Sequence, residues 1–503
     1  MGYMFLKTNS LLKLRHLGIA LAMATIGSTS AQAAEMRITE DAFQEYEKNI
    51  TSNTLESRVK LVDYYESLDL HSLTYSLMME EFNKKSTHAK PLLEKALKLT
   101  SMEPFFDKGQ LDNWVKSFKP ARSGFDLLDL LDLKHQWDTQ KLSTTEPFLQ
   151  KLNDASPFYN EALLMLSLID WKHKKFTSSL GYLELLAKKK DNSFHNQVML
   201  LKARIQFSQG DYPSAMENYR KLQSQFYLWP EAMMEAAWAQ VQMKDYEKAA
   251  GSMYSLHQDY FKKVYFPESY FVRSLAYFSL CQFGDALQVV QNFEKKYSLL
   301  QKSMDKYLVK DPKVAKLRGH TIEFLQTKVN SSGLPKALIL NLVADPEYVF
   351  LQDRVNTFEQ QNQLSVDFNQ VVLTKARTMT KFEKAEDRKK LAEFRKNLES
   401  FRKVSLSHSE KKLNAFRESM DKYFKKKFLK TNLDLKQNLL ETQKLRFEIY
   451  SRASNDLGSL KPENETVKVR DPATENEATW SFIGEIWEDE VGHFKSSLEN
   501  RCR

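Results

Sequence analysis

Catalysis and metal binding need particular side chains at particular spacings, and this 503-residue chain offers few of them. Its 10 histidines are scattered singly, so no metal site of usual ligand spacing assembles, and each reads as a surface or packing residue. Carboxylate pairs such as Glu485 with Asp489 have the spacing for acid–base work on glycans. On a charged helix such pairs are ordinarily solvated, and no lysozyme-like segment accompanies them. Phosphate-cradling, zinc-protease, nucleophile-elbow and paired Cys-x-x-Cys motifs are all missing from the sequence. The expectation is a chain that is not an enzyme, with no catalytic or metal-ligating residue and no cofactor. Two cysteines remain, Cys281 and Cys502. In an oxidising compartment such a pair tends to join, which predicts a Cys281–Cys502 disulfide pinning the C-terminal tail. A Cα separation above about 7 Å would reject it.

The compartment is read from the N-terminal residues. Lys7, Lys13 and Arg15 give a basic start, Leu17 to Ile26 an apolar run, and Ser30-Ala31-Gln32-Ala33 a small-residue cleavage site. That pattern predicts a secretory signal peptide over 1–33, because the apolar run is half the roughly twenty residues a membrane span needs. The competing reading, an uncleaved anchor, lacks a stop-transfer flank. The expected mature chain is periplasmic or secreted, with no transmembrane span. Net charge is +9, and three of those charges lie in the leader, so the mature chain is only mildly basic and nucleic acid is not an expected partner.

Positioning elements follow from composition. Only 14 residues are glycine, and strand-type alternation is nearly absent, which predicts an all-α fold of long helices and short loops. A small residue recurs at Thr145, Ser179, Ala215, Ala249 and Ala286, at spacings of 34, 36, 34 and 37. Bulky residues stand three before each (Leu142, Phe176, Tyr212, Tyr246, Phe283), and the same register repeats at Leu133, Ser167, Ala203, Ala237 and Ser274. Offsets of three, four and seven put such residues on the facing stripes of antiparallel helix pairs. Gln209-Gly210-Asp211-Tyr212-Pro213-Ser214-Ala215 with Tyr219 resembles the tetratricopeptide signature over roughly residues 124 to 297. Lys244 stands where that family has a turn glycine, and Gly284 is shifted by two. The resemblance implies an αα-superhelix whose first helices line a protein-binding groove, with Leu200, Arg204, Met234, Trp238, Phe271 and Leu275 projecting into it. Packing between neighbouring helices is the competing role for these six.

Residues 347–457 contain no glycine or proline and must be long helix. A folded-back helical hairpin is expected, of coiled-coil type, with seams at Leu391, Phe394, Leu398, Phe401 and at Leu413, Phe416, Met420, Tyr423. The seams differ in register, which places the bend near Ser405 to Ser409. Within 381–430 there are 17 Lys and Arg against 8 Asp and Glu. A basic arm of this kind suits peripheral contact with anionic lipid or an acidic partner, against the plainer reading of a solvated flank.

After a polar linker, Trp480, Phe482, Trp487 and Phe494 form an aromatic tail, with Ile483, Trp487, Val491 and Phe494 on one helical face. Such groups are expensive to leave in water, so the tail should dock, either in cis along the repeats or basic arm or in trans on a partner. The expected organisation is 1–33 leader, 34–123 irregular helical extension, 124–345 repeats with a helical cap, 346–458 basic hairpin, 459–479 linker and 480–503 docking segment. With its leader, repeats, basic helices and terminal Trp-x-Phe-x-Gly-Glu-x-Trp-x-Asp-Glu segment, the chain resembles periplasmic repeat proteins of predatory and gliding bacteria related to myxobacteria. Some of those are associated with gliding motility machinery. The resemblance implies a scaffold that binds other envelope proteins or peptides and supplies no catalytic residues. An outer-membrane or peptidoglycan assembly factor is the alternative binding role, and a cell-wall-turnover enzyme the alternative of another class.

Overall fold

A computed structural model describes residues 40–188, 194–258, 265–379, 385–454, 457–463, 467–469 and 494–502. The leader, residues 1–33, and Trp480, Phe482 and Trp487 lie outside the described residues. The fold is all-α apart from two three-residue strands among the described residues, and no described helix is long and apolar enough to cross a membrane. The chain divides into two compact units, each made of two separate stretches: Met1–Lys175 with Val349–Met420, and Phe176–Tyr348 with Asp421–Arg503.

The first unit opens with α1 (Glu40–Thr51), α2 (Leu55–Ser67), α3 (His71–Asn83), α4 (Ala89–Ala96), α5 (Lys108–Phe118), α6 (Leu127–Thr139), the single turn α7 (Glu146–Leu149) and α8 (Tyr159–Lys172). Local chemistry starts them: the Thr54 hydroxyl caps α2, and Asp126 with Asp129 forms a reciprocal capping box on α6. The later stretch supplies most of α18 (Pro346–Met379) and α19 (Ala385–Ala453) up to Met420. Phe358 meets Phe416, whereas Phe368 and Phe401 both meet Tyr65, so within this unit the two long helices run in opposite directions. Tyr46, Tyr65, Phe368 and Phe394 form a buried aromatic cluster. Beside it the Gln361 amide donates to the Asp69 carbonyl (2.8 Å) and accepts from the Ser72 N–H (3.1 Å), so polar groups key α18 to the start of α3.

The predicted bend near Ser405 to Ser409 is not there. α19 runs through it unbroken, with Ser405 and Ser409 buried, and the break between the long helices falls between Met379 and Ala385. A register change between apolar seams needs no bend when the helix changes neighbours, and α19 passes from one unit to the other at Met420. Phe394, Leu398, Phe401, Leu413, Met420 and Tyr423 are buried and Phe416 is half-buried; the Leu391 side chain lies outside the described residues.

The second unit holds α9 (Phe176–Ala187), α10 (His195–Gln209), α11 (Tyr212–Arg220), α12 (Trp229–Gln242), α13 (Tyr246–Leu256), α14 (Pro267–Ser279), α15 (Phe283–Lys310), α16 (Leu317–Thr327) and α17 (Lys336–Val343). Pro230 and Pro267 sit in the first turns of α12 and α14, where a missing N–H costs nothing. The rest of α19 packs on α15, where Arg446 pairs with Glu294 at 2.9 Å and Tyr307 meets Phe428. Strands β1 (Val467–Val469) and β2 (Phe494–Ser496) pair antiparallel, with Lys468 opposite Lys495.

The recurring positions become a recurring local structure. Thr145, Ser179, Ala215, Ala249 and Ala286 are all buried, as are Leu133, Ser167, Ala203, Ala237 and Ser274. After each first helix one residue turns left-handed: Gln140, Lys174, Gly210, Lys244 and Cys281 have φ of 56°, 60°, 84°, 60° and 55°. At the last four, an amide reaches back five residues, from Lys175 to Asp170, Asp211 to Gln206, Asp245 to Gln240 and Gln282 to Tyr277. This is the Schellman closure, which usually takes glycine because a Cβ crowds the left-handed backbone. Here it forms with glycine at one position of the four.

Candidate protein interaction surface

In the second unit, side chains tie the helix pairs together at matching places. The Asn218 amide donates to Gln206 (2.7 Å) and the Ser252 hydroxyl to Gln240 (3.2 Å), each across twelve residues from second helix to first. Between pairs, Arg204 on α10 donates to both Glu235 oxygens on α12, at 2.8 and 2.6 Å, and the Tyr219 hydroxyl on α11 adds a bond to Glu235 at 3.1 Å. All three side chains are buried. Burial works against the Arg204 charge, and Glu235 more than offsets it, holding the guanidinium protonated. Near the same register in the next pair, the Trp238 indole donates to Glu268 at 2.9 Å.

These contacts decide where the six expected groove residues stand. Leu200, Arg204 and Met234 are buried, and Arg204 is consumed by its ion pair. They belong to the packing between helices, because an arginine satisfied by a neighbouring helix has little left for a ligand. Trp238, Phe271 and Leu275 stay partly exposed, with Trp238 against Phe271 and the Met233, Met234 and Val272 cluster. Leu275 and Phe271 pack on the cluster of Ala249, Ala250, Ala276 and Leu287.

A second surface is already covered by the chain's own C-terminal residues. Strand β2 lies on α13, with the Phe494 backbone so close to Gly251 that a Cβ there would collide with the Phe494 carbonyl. Gly284, at the start of α15, likewise admits the backbone of Lys461 and Pro462. Phe494 and Leu498 are buried, and Lys495 pairs with Glu247 at 2.5 Å. Arg501 N–H donates to the Leu280 carbonyl at 2.9 Å, and the Gln282 amide donates to the Glu499 carbonyl at 2.8 Å. Cys281 and Cys502 are joined, with Cα atoms 5.1 Å apart, at the left-handed turn that closes α14. Phe494 is extended in β2, where spacing predicted the end of a helical face; main-chain pairing with β1 fixes the strand. Sequence reasoning missed the two glycines as backbone clearances. Their signal was available, since both interrupt helices otherwise short of glycine.

In the first unit, a cavity of about 860 Å³ lies between α3, α5 and α19, lined by Tyr75, Met79, Asp107, His408, Lys411 and Lys412 among others. His408 stacks on Tyr75 with ring centroids 4.1 Å apart, and neither His408 Nε2 nor the Tyr75 hydroxyl has a hydrogen-bond partner. Burial, reinforced by Lys412, pushes the imidazole down to about 4, so it is neutral at physiological pH. Lys412 itself pairs with Asp107 at 2.5 Å. Deeper in the unit Glu103 is buried, which works against its charge, but Arg354 and Lys134 hold it well below the usual carboxylate range. Among the described residues no group of three or more histidines, cysteines or carboxylates is placed to hold a metal ion. No protein-family model, curated protein or solved structure matches the chain.

Proposed function

We propose that the chain is an exported tetratricopeptide-type scaffold that holds other proteins or peptides together in a bacterial cell envelope, with no catalytic step of its own. One observation carries this reading: helix pairs recur with a buried small residue at spacings of 34, 36, 34 and 37, and a left-handed residue closes the first helix at those same spacings. A period near 34 in αα-hairpins is the mark of that repeat class, whose stacked pairs serve as protein-binding surfaces. Export is supported by the basic and apolar N-terminal pattern ending at Ala33 and by the Cys281–Cys502 bond, a linkage that persists in oxidising compartments. Trp238, Phe271 and Leu275 are the partly exposed groove residues through which a partner is held, and the basic 381–430 span adds peripheral contact with acidic partners or lipid.

The test is affinity purification of the chain from cell-envelope fractions after crosslinking. Recovery of motility or transport components is the expected result. Recovery from the cytoplasm, or of wall fragments alone with glycan cleavage by the purified chain, overturns the scaffold reading.

A further inference from the structure

In the second unit α19 has two apolar faces, and the chain itself covers one. Phe428, Leu435, Leu445 and Ile449 are buried, the last two within the cluster of Ala249, Ala276 and Leu287. On the opposite side Leu433, Leu440 and Phe447 stand seven residues apart and are 65%, 51% and 75% exposed, flanked by Leu429 and Tyr450 at 40% and 46%. A heptad row of large apolar groups on a helix surface is the seam of a helix pair, and leaving it in water is costly.

We propose that this row is the contact between two copies of the chain, paired antiparallel about a two-fold axis at Leu440. The row is its own complement in that orientation. Leu440 meets the partner's Leu440, Leu433 meets the partner's Phe447, and Leu429 meets the partner's Tyr450, so a large ring always faces a leucine. The charges beside the row select the same arrangement. Along one flank the order is Lys430, Asp434, Gln437, Glu441, Lys444, Glu448. Reversed against itself, that flank sets Lys430 beside the partner's Glu448 and Asp434 beside the partner's Lys444, with Gln437 beside the partner's Glu441. No like charges face each other. The other flank sets Lys436 beside the partner's Gln443, which is also free of repulsion. A parallel pairing instead sets the Lys430 to Glu448 flank against Leu429, Lys436, Gln443 and Tyr450, where one charge answers six positions. Symmetric, self-complementary contacts of this kind are what two-fold dimers use.

The experiment uses the full chain with its native disulfide. Sedimentation equilibrium should give a dimer, and Leu440→Glu should weaken it by about 100-fold or more, since each dimer then loses two buried leucines. Leu440 is half exposed, so the variant keeps its helix content, checked by circular dichroism. Orientation is read by cysteine pairing. Leu440→Cys should oxidise to a covalent dimer, and a mixture of Leu433→Cys with Phe447→Cys chains should crosslink while neither does so alone. Crosslinking of Leu433→Cys with itself overturns the antiparallel pairing. A monomeric Leu440→Cys chain whose new thiol resists maleimide overturns the proposal in favour of cover by the chain's own residues. A monomeric Leu440→Cys chain whose new thiol labels freely overturns it in favour of a foreign protein or lipid surface.

Discussion

Arg204, Glu235 and Tyr219 show how a single buried charge organises its surroundings. The guanidinium is tolerated because two carboxylate oxygens and a hydroxyl close the network. Removing one partner strands the other, so Glu235→Ala should cost about 3–5 kcal/mol in chemical denaturation, whereas joint replacement by Arg204→Met and Glu235→Leu should cost far less. His408 behaves in the opposite sense, as a group kept neutral. Its folded pKa of about 4 lies below the ordinary 6.5, so on acidification the unfolded chain takes up a proton that the folded chain refuses. That contribution is intact above about pH 6.5 and is lost as pH falls toward about 4. Glu103, held ionised by Arg354 and Lys134, loses its own contribution lower still. His408→Phe should therefore flatten the stability profile between those two pH values and leave the more acidic limb in place, as measured by urea unfolding across pH.

The repeated turn is the informative feature at the scale of elements. Lys174 and Lys244 adopt a left-handed backbone that costs an L-residue roughly 1–2 kcal/mol, and the Schellman hydrogen bonds hold them there. Lys244→Gly should remove that strain, less glycine's extra chain entropy, for a net gain of about 0.5 kcal/mol seen as a higher melting temperature. Gly210→Ala should do the reverse in the same measurement. The departures from the repeat signature at Lys244 and Gly284 thus have different meanings. One is a strained turn, and the other is clearance for a second backbone at Lys461 and Pro462.

For the molecule as a whole, the chain's end closes on its own repeats. The bond between Cys281 and Cys502 spans 221 residues, and it fastens a segment that Gly251 and Gly284 let lie against α13 and α15. Replacing both cysteines by serine should cost about 2–4 kcal/mol and raise amide exchange at Lys495 and Ser496 while the helices stay protected. Gly251→Ala should raise exchange at the same amides with the disulfide intact, because steric exclusion and covalent tethering act separately. Both units draw on residues from opposite parts of the sequence, so truncation after Ala453 should destabilise the second unit rather than trim a free tail.

By itself the sequence determined the helical class, the period of the pairs and the buried register at Ala215, Ala249 and Ala286, because these follow from local propensity and from offsets of three, four and seven. It named the two cysteines but not the glycine clearances between them, and it placed the break in the long helices about 25 residues too late, at Ser405 rather than between Met379 and Ala385. Tertiary structure alone decided that Arg204 is an internal ion-pair member rather than a groove anchor, that Phe494 is a strand residue, and that one face of α19 is satisfied while Leu433, Leu440 and Phe447 face outward. The physical reason is common to all of these. Periodicity says which residues share a face, whereas what lies against that face depends on segments a hundred or more residues away.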